Sequence, residues 1–334
     1  MLIRIGKWVV GVVLAGLVVV PIAGWLYQTT SAASALRATP APGQLVVVDG
    51  KRMHIHCLGT GSPTIVLERG LTASAATNGP LHRELAETTR TCAYDRSGLG
   101  YSELRDAHSS VEGVATQLRG LLDGAGIAEP VVLVGSSIGG VFVRSFYDQY
   151  PTRVAGMVLL DSTYEYEEVG DGAVEPVYPP GILVFASWVQ PFGLVRLLGL
   201  VEAKVDRRSG NLLESDRAQL VATYGQSDAP LGMLHEWRTA NDMVMANRKP
   251  SSLGDLPLIV LTQDTPPREE MTDEEWAEEL ADAQERNSLH QSLAGLSTEG
   301  VWRIAEGSGH GIEADAPEVA AAAVLEIVER ARTR

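Results

Sequence analysis

Six short apolar runs, each separated from the next by residues of helical periodicity, constrain this chain more than any other feature. They are "TIVLERG" (64–70), "TCAYD" (91–95), "VVLVG" (131–135), "GMVLLD" (156–161), "LIVLT" (258–262) and "VWRIAE" (301–306). A half-exposed strand would alternate polar and apolar residues. Uninterrupted Val, Ile and Leu of this length read instead as parallel strands buried on both faces. Between them, Val111, Val114, Leu118, Leu121 and Leu122 recur at helical spacing, with Gly124 as a stop. Near the end, Asp315, Pro317 and Glu318 read as the cap and first turn of a helix over "APEVAAAAVLEIVERAR". Upstream, "GQLVVVDGKRMHIHCLG" reads as a hairpin turning at Asp49-Gly50. The alternation implies an α/β fold with a doubly wound, mostly parallel sheet, whose ligands bind beyond the carboxyl ends of the strands.

One strand runs straight into "GSSIGG". In the pattern G-x-S-x-G the serine sits on a sharp strand-to-helix turn, and the glycines are needed because side chains there would collide. Only Ser137 has the spacing, with Gly135 two residues before it and Gly139 two after; Ser136 falls at the variable position. The apolar run before and "IGGVFVRSFYDQY" after supply the required context, so Ser137 reads as a nucleophile rather than part of a plain glycine turn.

Composition narrows the partners. The 334 residues are 45% hydrophobic, enough for a substantial core, and the formal net charge of −15 with no Lys/Arg cluster argues against nucleic acid. His54 and His56 are two apart, but no third ligand accompanies them, so they read as strand residues and no metal is implied. No cofactor loop is found: "GTGSP" at Gly59 lacks the third glycine of a dinucleotide site. "WVVGVVLAGLVVVPIAGWLY" (8–27) is uncharged over the length of a bilayer core and follows Arg4 and Lys7. Residues 1–27 therefore read as a transmembrane anchor with the remainder extracytoplasmic. A signal segment cleaved after Ala35 and a secreted product is the alternative. Residues 28–43 read as a tether. Cys57 and Cys92 are the only cysteines, and form one disulfide or remain two buried thiols.

Taken in chain order, "VLERG", "CAYDRSGLGYSE", the serine turn and "GSGHGIEADAP" resemble the α/β-hydrolase superfamily over nearly everything after the tether, though Arg69 stands where that family commonly has His. The resemblance implies a core of residues 44–161 and 256–334, with 162–255 as a helical cap over the pocket. His310, between glycines beyond the last strand, then matches the base of a Ser-acid-His order. Two carboxylates compete as the acid that orients it. Asp264 follows the next-to-last strand, where the family usually carries its acid, but about two residues early. Asp161 ends the preceding strand cleanly and is preferred, with Asp264 kept open. Relatives meet the oxyanion with backbone amides, here those of Leu71 and Ile138. Glu68 and Arg69 suggest a structural ion pair beside that turn. Phe185, Trp188 and Phe192 are candidates to line an acyl pocket, or else to pack within the cap. The cap's apolar cluster has a second reading, against the membrane. "EEMTDEEWAEELADAQERNSLHQSLAGLS" reads as a solvated helix with a Thr272/Glu275 capping box.

The expected activity is hydrolysis of a small, apolar carboxylic ester through an acyl-enzyme. Acyl transfer and cofactor-free haloperoxidase-like chemistry use the same residues. A noncatalytic binding module on a hydrolase scaffold is the reading from another class.

Overall fold

The computed structural model describes residues 2–166, 174–207, 212–265 and 271–334, so parts of the expected cap, 167–173 and 208–211, lie outside the described residues. Eight strands form one sheet: β1 (Gln44–Val48), β2 (Lys51–Leu58), β3 (Ile65–Glu68), β4 (Thr91–Tyr94), β5 (Val131–Ser136), β6 (Val154–Leu160), β7 (Leu258–Gln263) and β8 (Gly300–Ala305). Their order is β1-β2-β4-β3-β5-β6-β7-β8. The first two strands are antiparallel additions, and every pairing from β4 to β8 is parallel. All six apolar runs are strands, and the hairpin turns at Asp49 and Gly50, both at positive φ.

Among the described residues twelve helices accompany the sheet: α1 (Leu2–Ala38), α2 (Gly79–Ala86), α3 (Val111–Gly124), α4 (Gly139–Gln149), α5 (Gly181–Val189), α6 (Leu194–Leu197), α7 (Leu200–Asp206), α8 (Glu214–Tyr224), α9 (Ala229–Ala246), α10 (Asp273–Ala294), α11 (Ile312–Asp315) and α12 (Pro317–Arg332). Successive strand residues point to opposite faces, so Val66 joins a core with Leu118, Leu121, Phe146 and Leu293 from α3, α4 and α10. Ile65 and Leu67 face the other core, with Leu81 and Leu85 of α2 and Val324 and Ile327 of α12. Two-sided burial is why the strands lack alternation. Cys57 and Cys92 are directly paired across β2 and β4, with Cα atoms 4.0 Å apart, and form a disulfide.

Helices α5 to α9 fill the interval between β6 and β7. Val195, Val201, Val205 and Leu220 form a small core of their own, and α9 seats Ala240 and Met243 against Ile138, Val141 and Phe142 of the elbow helix. The Thr272/Glu275 capping box is present at the start of α10.

Two local expectations are corrected. Residues 28–38 are no tether: α1 continues through them, because this small, Ala-containing stretch suits a helix and docks on the cap. Gln28 and Ala32 are buried there, and Gln28 Nε2 donates to the carbonyl of Gly225 at 2.8 Å. Asp315 does not cap α12. It ends α11, and its carboxylate accepts the Gly309 amide at 3.0 Å, on the loop that carries His310.

Candidate active site

Ser137 follows β5 with φ +54, a left-handed conformation costing a non-glycine residue on the order of 1–3 kcal/mol. The turn is held from several sides. The Ser137 amide donates to Leu160 O at 3.0 Å, and the amides of Gly140 and Thr163 donate to Ser137 O, each at 3.0 Å. A Cβ on Gly135 would stand 2.7 Å from the Gly140 Cα, and one on Gly139 would stand 2.6 Å from Glu68 O. Those two glycines let the elbow close against itself and against the turn after β3. Thr72 and Asp161 are also at positive φ, so among the described residues three of the five such non-glycine residues gather at the carboxyl ends of the sheet.

Beyond β8, the Nδ1 atom of His310 lies 2.5 Å from Oδ2 of Asp161. A carboxylate only accepts, so Nδ1 carries a proton, and in the neutral ring Nε2 keeps its lone pair. The hydrogen bond to Asp161, aided by the charges of Asp161 and Glu313, raises the His310 pKa above its ordinary value against burial and the Arg69 charge. Burial opposes the charge of Asp161, but the His310 bond and the Gln263 amide at 3.0 Å outweigh it and lower its pKa. Asp264 has another task. Its carboxylate accepts the amides of Thr265 at 2.8 Å and Gly307 at 2.9 Å, and its own amide donates to Ser308 O at 2.9 Å, tying the end of β7 to the His310 loop.

His290, which the sequence placed on an outer helix, is buried behind Asp161, its Nδ1 lying 3.8 Å from Oδ1. Ser162 O is a carbonyl oxygen and only accepts, so the neutral His290 ring carries its proton on Nε2 and Nδ1 accepts from Thr262 Oγ1 at 2.7 Å, while Trp302 Nε1 donates to Thr262 Oγ1 at 2.7 Å. His290 Nε2 therefore donates to Ser162 O at 2.9 Å. Burial lowers its pKa, consistent with that neutral tautomer. A lone histidine on an acidic helix carried no signal of this role.

The turn after β3 is held by a buried charge network. Arg96 donates to the carbonyls of Arg69 and Gly70 at 2.7 and 2.8 Å. It pairs with Glu68 and, through Nε at 2.5 Å, with Glu236 of α9. Glu236 in turn accepts the Thr72 amide at 2.6 Å. Burial alone would lower the Arg96 pKa; Glu236 and Glu68 reverse this and keep it charged. The expected Glu68–Arg69 pair is thus replaced: Glu68 binds Arg96 and Tyr94, while Arg69 binds Glu313 and donates to Thr77 Oγ1 at 3.1 Å. Ser136 Oγ donates to the same Glu313. His54 is occupied structurally, by Asp95 at 2.7 Å and Pro42 O at 2.5 Å, and His56 stacks edge-on with His82.

Ser137, His310 and Leu71 line one cavity of about 1030 Å³, together with Arg69, Val205, Leu212, Leu220 and Tyr224. Ile138 follows Ser137 at the amino end of α4, where backbone N–H groups and the helix dipole favour negative charge. Phe185, Trp188 and Phe192 are not on this wall. They stand exposed on the cap: α5 buries none of its residues, and Phe192 lies in the turn Gln190–Phe192 that follows it.

A parallel sheet with an antiparallel edge hairpin, a strained serine elbow after β5 and a histidine beyond the last strand define the α/β-hydrolase class. The model of the alpha/beta hydrolase family matches residues 54–323, and the chain belongs to that family. YqjL, an uncharacterized protein of Bacillus subtilis, is 24% identical over 84% of this chain and 89% of its own length. An uncharacterized protein of Schizosaccharomyces pombe is 30% identical over 49% of this chain, which spans only 36% of that relative. Among solved structures, a thermophilic esterase from Thermogutta terrifontis superposes with a TM-score of 0.57 at 20% identity, covering 86% of this chain and 97% of the esterase.

Proposed function

We propose that this protein is a serine hydrolase that cleaves a small carboxylic ester. The observation that carries the reading is the hydrogen bond from His310 Nδ1 to Asp161, which in the neutral ring leaves Nε2 as the base in a histidine that shares a cavity with Ser137. Ser137 Oγ attacks the ester carbonyl carbon as His310 Nε2 takes its proton, and Asp161 stabilises the imidazolium. The amides of Leu71 and Ile138 meet the oxyanion. The C–O bond to the alcohol then breaks, with His310 returning the proton to the leaving oxygen. Water, activated by the same nitrogen, releases the acid and restores Ser137. Leu71, Val205, Leu212 and Leu220 on the cavity wall suit an apolar acyl or alkyl group, while Arg69, Lys204 and Glu313 make the rest of the wall polar.

The same reading makes α1 a membrane anchor. Val10–Ala38 contains a helical span long and apolar enough to cross a bilayer, with Arg4 and Lys7 on its amino side. The catalytic portion then lies outside the cytoplasm. Amino-terminal sequencing of the mature chain tests this: a start at Leu36 would replace the anchor with a cleaved signal.

A fluorophosphonate probe tests the chemistry. It should label wild-type protein at Ser137, and Ser137→Ala should lose both the label and ester turnover, by about 10⁴-fold or more. Ser136→Ala should retain both. An unlabelled wild-type protein that turns over no ester would point instead to a binding module on this scaffold.

A further inference from the structure

The cap carries an apolar surface that neither its own small core nor the sheet uses. From Pro176 to Val195 there is no charged side chain, in a chain that is 21% charged. Helix α5 within this stretch buries no residue: Ile182 is 70% exposed, Phe185 55% and Trp188 74%. Leu197, Leu198 and Leu200 extend the exposed face towards α7. Scattered apolar residues on a surface need no explanation, but a contiguous set on consecutive helices does.

What covers this face is indicated by its neighbour. The turn Gln190–Phe192, which directly follows α5, packs against α1. A Cβ on Gly24 would stand 2.5 Å from the Phe192 carbonyl oxygen, so the absence of a side chain there is what lets the two elements meet. Tyr27 lies against Gly193, and Gln28 is bonded to Gly225. These contacts fall at the outer end of the apolar run of α1, beside exposed Trp25 and Leu26. The apolar run of α1 and the apolar cap face therefore adjoin at this turn. Trp25 and Tyr27 lie on α1 at the level of this turn, and such residues concentrate at the boundary between hydrocarbon and headgroups.

We infer that the α5–α7 face of the cap docks into the outer leaflet of the bilayer that α1 spans. The inference rests on the anchor reading of α1. Helix α7 connects the docked face to the cavity, since Lys204 and Val205 line the same wall as Ser137 and His310. Docking puts the mouth of that cavity at the lipid boundary, and an ester dissolved in the leaflet reaches it without crossing water.

The full chain in phosphatidylcholine vesicles tests this. With Cys57 and Cys92 bridged, Trp188→Cys introduces one reactive thiol at an exposed site, and Glu285→Cys, on exposed α10, is the control. Each is labelled with an environment-sensitive nitrobenzoxadiazole dye, and vesicles carrying a shallow nitroxide lipid are compared with plain ones. Quenching at position 188 should exceed that at 285 by about fivefold or more if the face lies among acyl chains. If the chain floats with the vesicles and both labels remain in water, the anchor stands and docking is overturned. A label at 188 shielded from water but not quenched by lipid means that protein covers the face, which also overturns it. If the chain does not float, the anchor reading fails and docking fails with it. Ester turnover in detergent reports separately on the chemistry.

Discussion

His310 Nδ1 and Asp161 Oδ2 stand 2.5 Å apart, although 149 residues of sequence separate them. Asp264, one strand nearer in the sheet, binds the backbone of the histidine loop and not its ring. Asp161→Asn should therefore lower kcat/KM by about 10⁴-fold, since an amide neither stabilises the imidazolium nor enforces the tautomer. Asp264→Asn should cost about 1 kcal/mol of stability per lost bond and less than about tenfold in kcat/KM. Steady-state kinetics on one ester, after circular dichroism has verified both folds, checks the pair. The reverse ranking would transfer the role to Asp264.

The pH profile follows from the same hydrogen bond. In the proposed reaction His310 acts as a base only when neutral, and its pKa lies above the ordinary value of about 6.5. kcat/KM should therefore rise with pH through a midpoint above about 6.5. Asp161 stays ionised across this range because its own pKa is lowered. Glu313→Gln removes a negative charge that favours the imidazolium, so the midpoint should move to lower pH. A midpoint that stays put or moves up in Glu313→Gln would contradict the assignment of the limb to His310.

Glu236 ties the cap to the turn carrying Leu71, through Arg96 and the Thr72 amide. Glu236→Gln keeps one acceptor but leaves Arg96 with half of its buried counter-charge, so the turn should lose its fixed position. The expected result is a fall in kcat of about 10- to 100-fold with KM changed little, as when an interaction made only in the transition state is removed. Glu236→Asp, which restores the charge, should recover part of the loss. Equal losses in both variants with an altered unfolding midpoint would mean a merely structural role.

The disulfide joins β2 to β4 across 35 residues. Closing a loop of that length removes roughly 3–4 kcal/mol of unfolded-state entropy in the chain-entropy model. The Cys57→Ala/Cys92→Ala variant should lose up to about that much stability in urea unfolding, with a slope equal to or steeper than that of wild type because its unfolded chain is less compact. Dithiothreitol should weaken wild-type protein similarly and leave the variant unaffected.

Local pattern determined much of this protein. Uninterrupted apolar runs dictate two-sided burial, and glycines two residues on either side of Ser137 permit a turn that closes against Gly140 and Glu68, so strands and elbow were both legible. The same reasoning reached the hairpin at Asp49-Gly50 and the capping box at Thr272, because each depends on a few adjacent residues. What spans the fold was decided only in three dimensions. The sequence offered Asp161 and Asp264 to His310, and sheet register with loop direction, rather than chain distance, selected Asp161 as its hydrogen-bond partner. Glu68 turned to Arg96 and Arg69 to Glu313 for the same reason: a charge pairs with whatever opposite charge packing brings within reach. The aromatic residues of α5 looked like pocket lining because hydrophobicity states that a side chain avoids water, but not which surface it will meet.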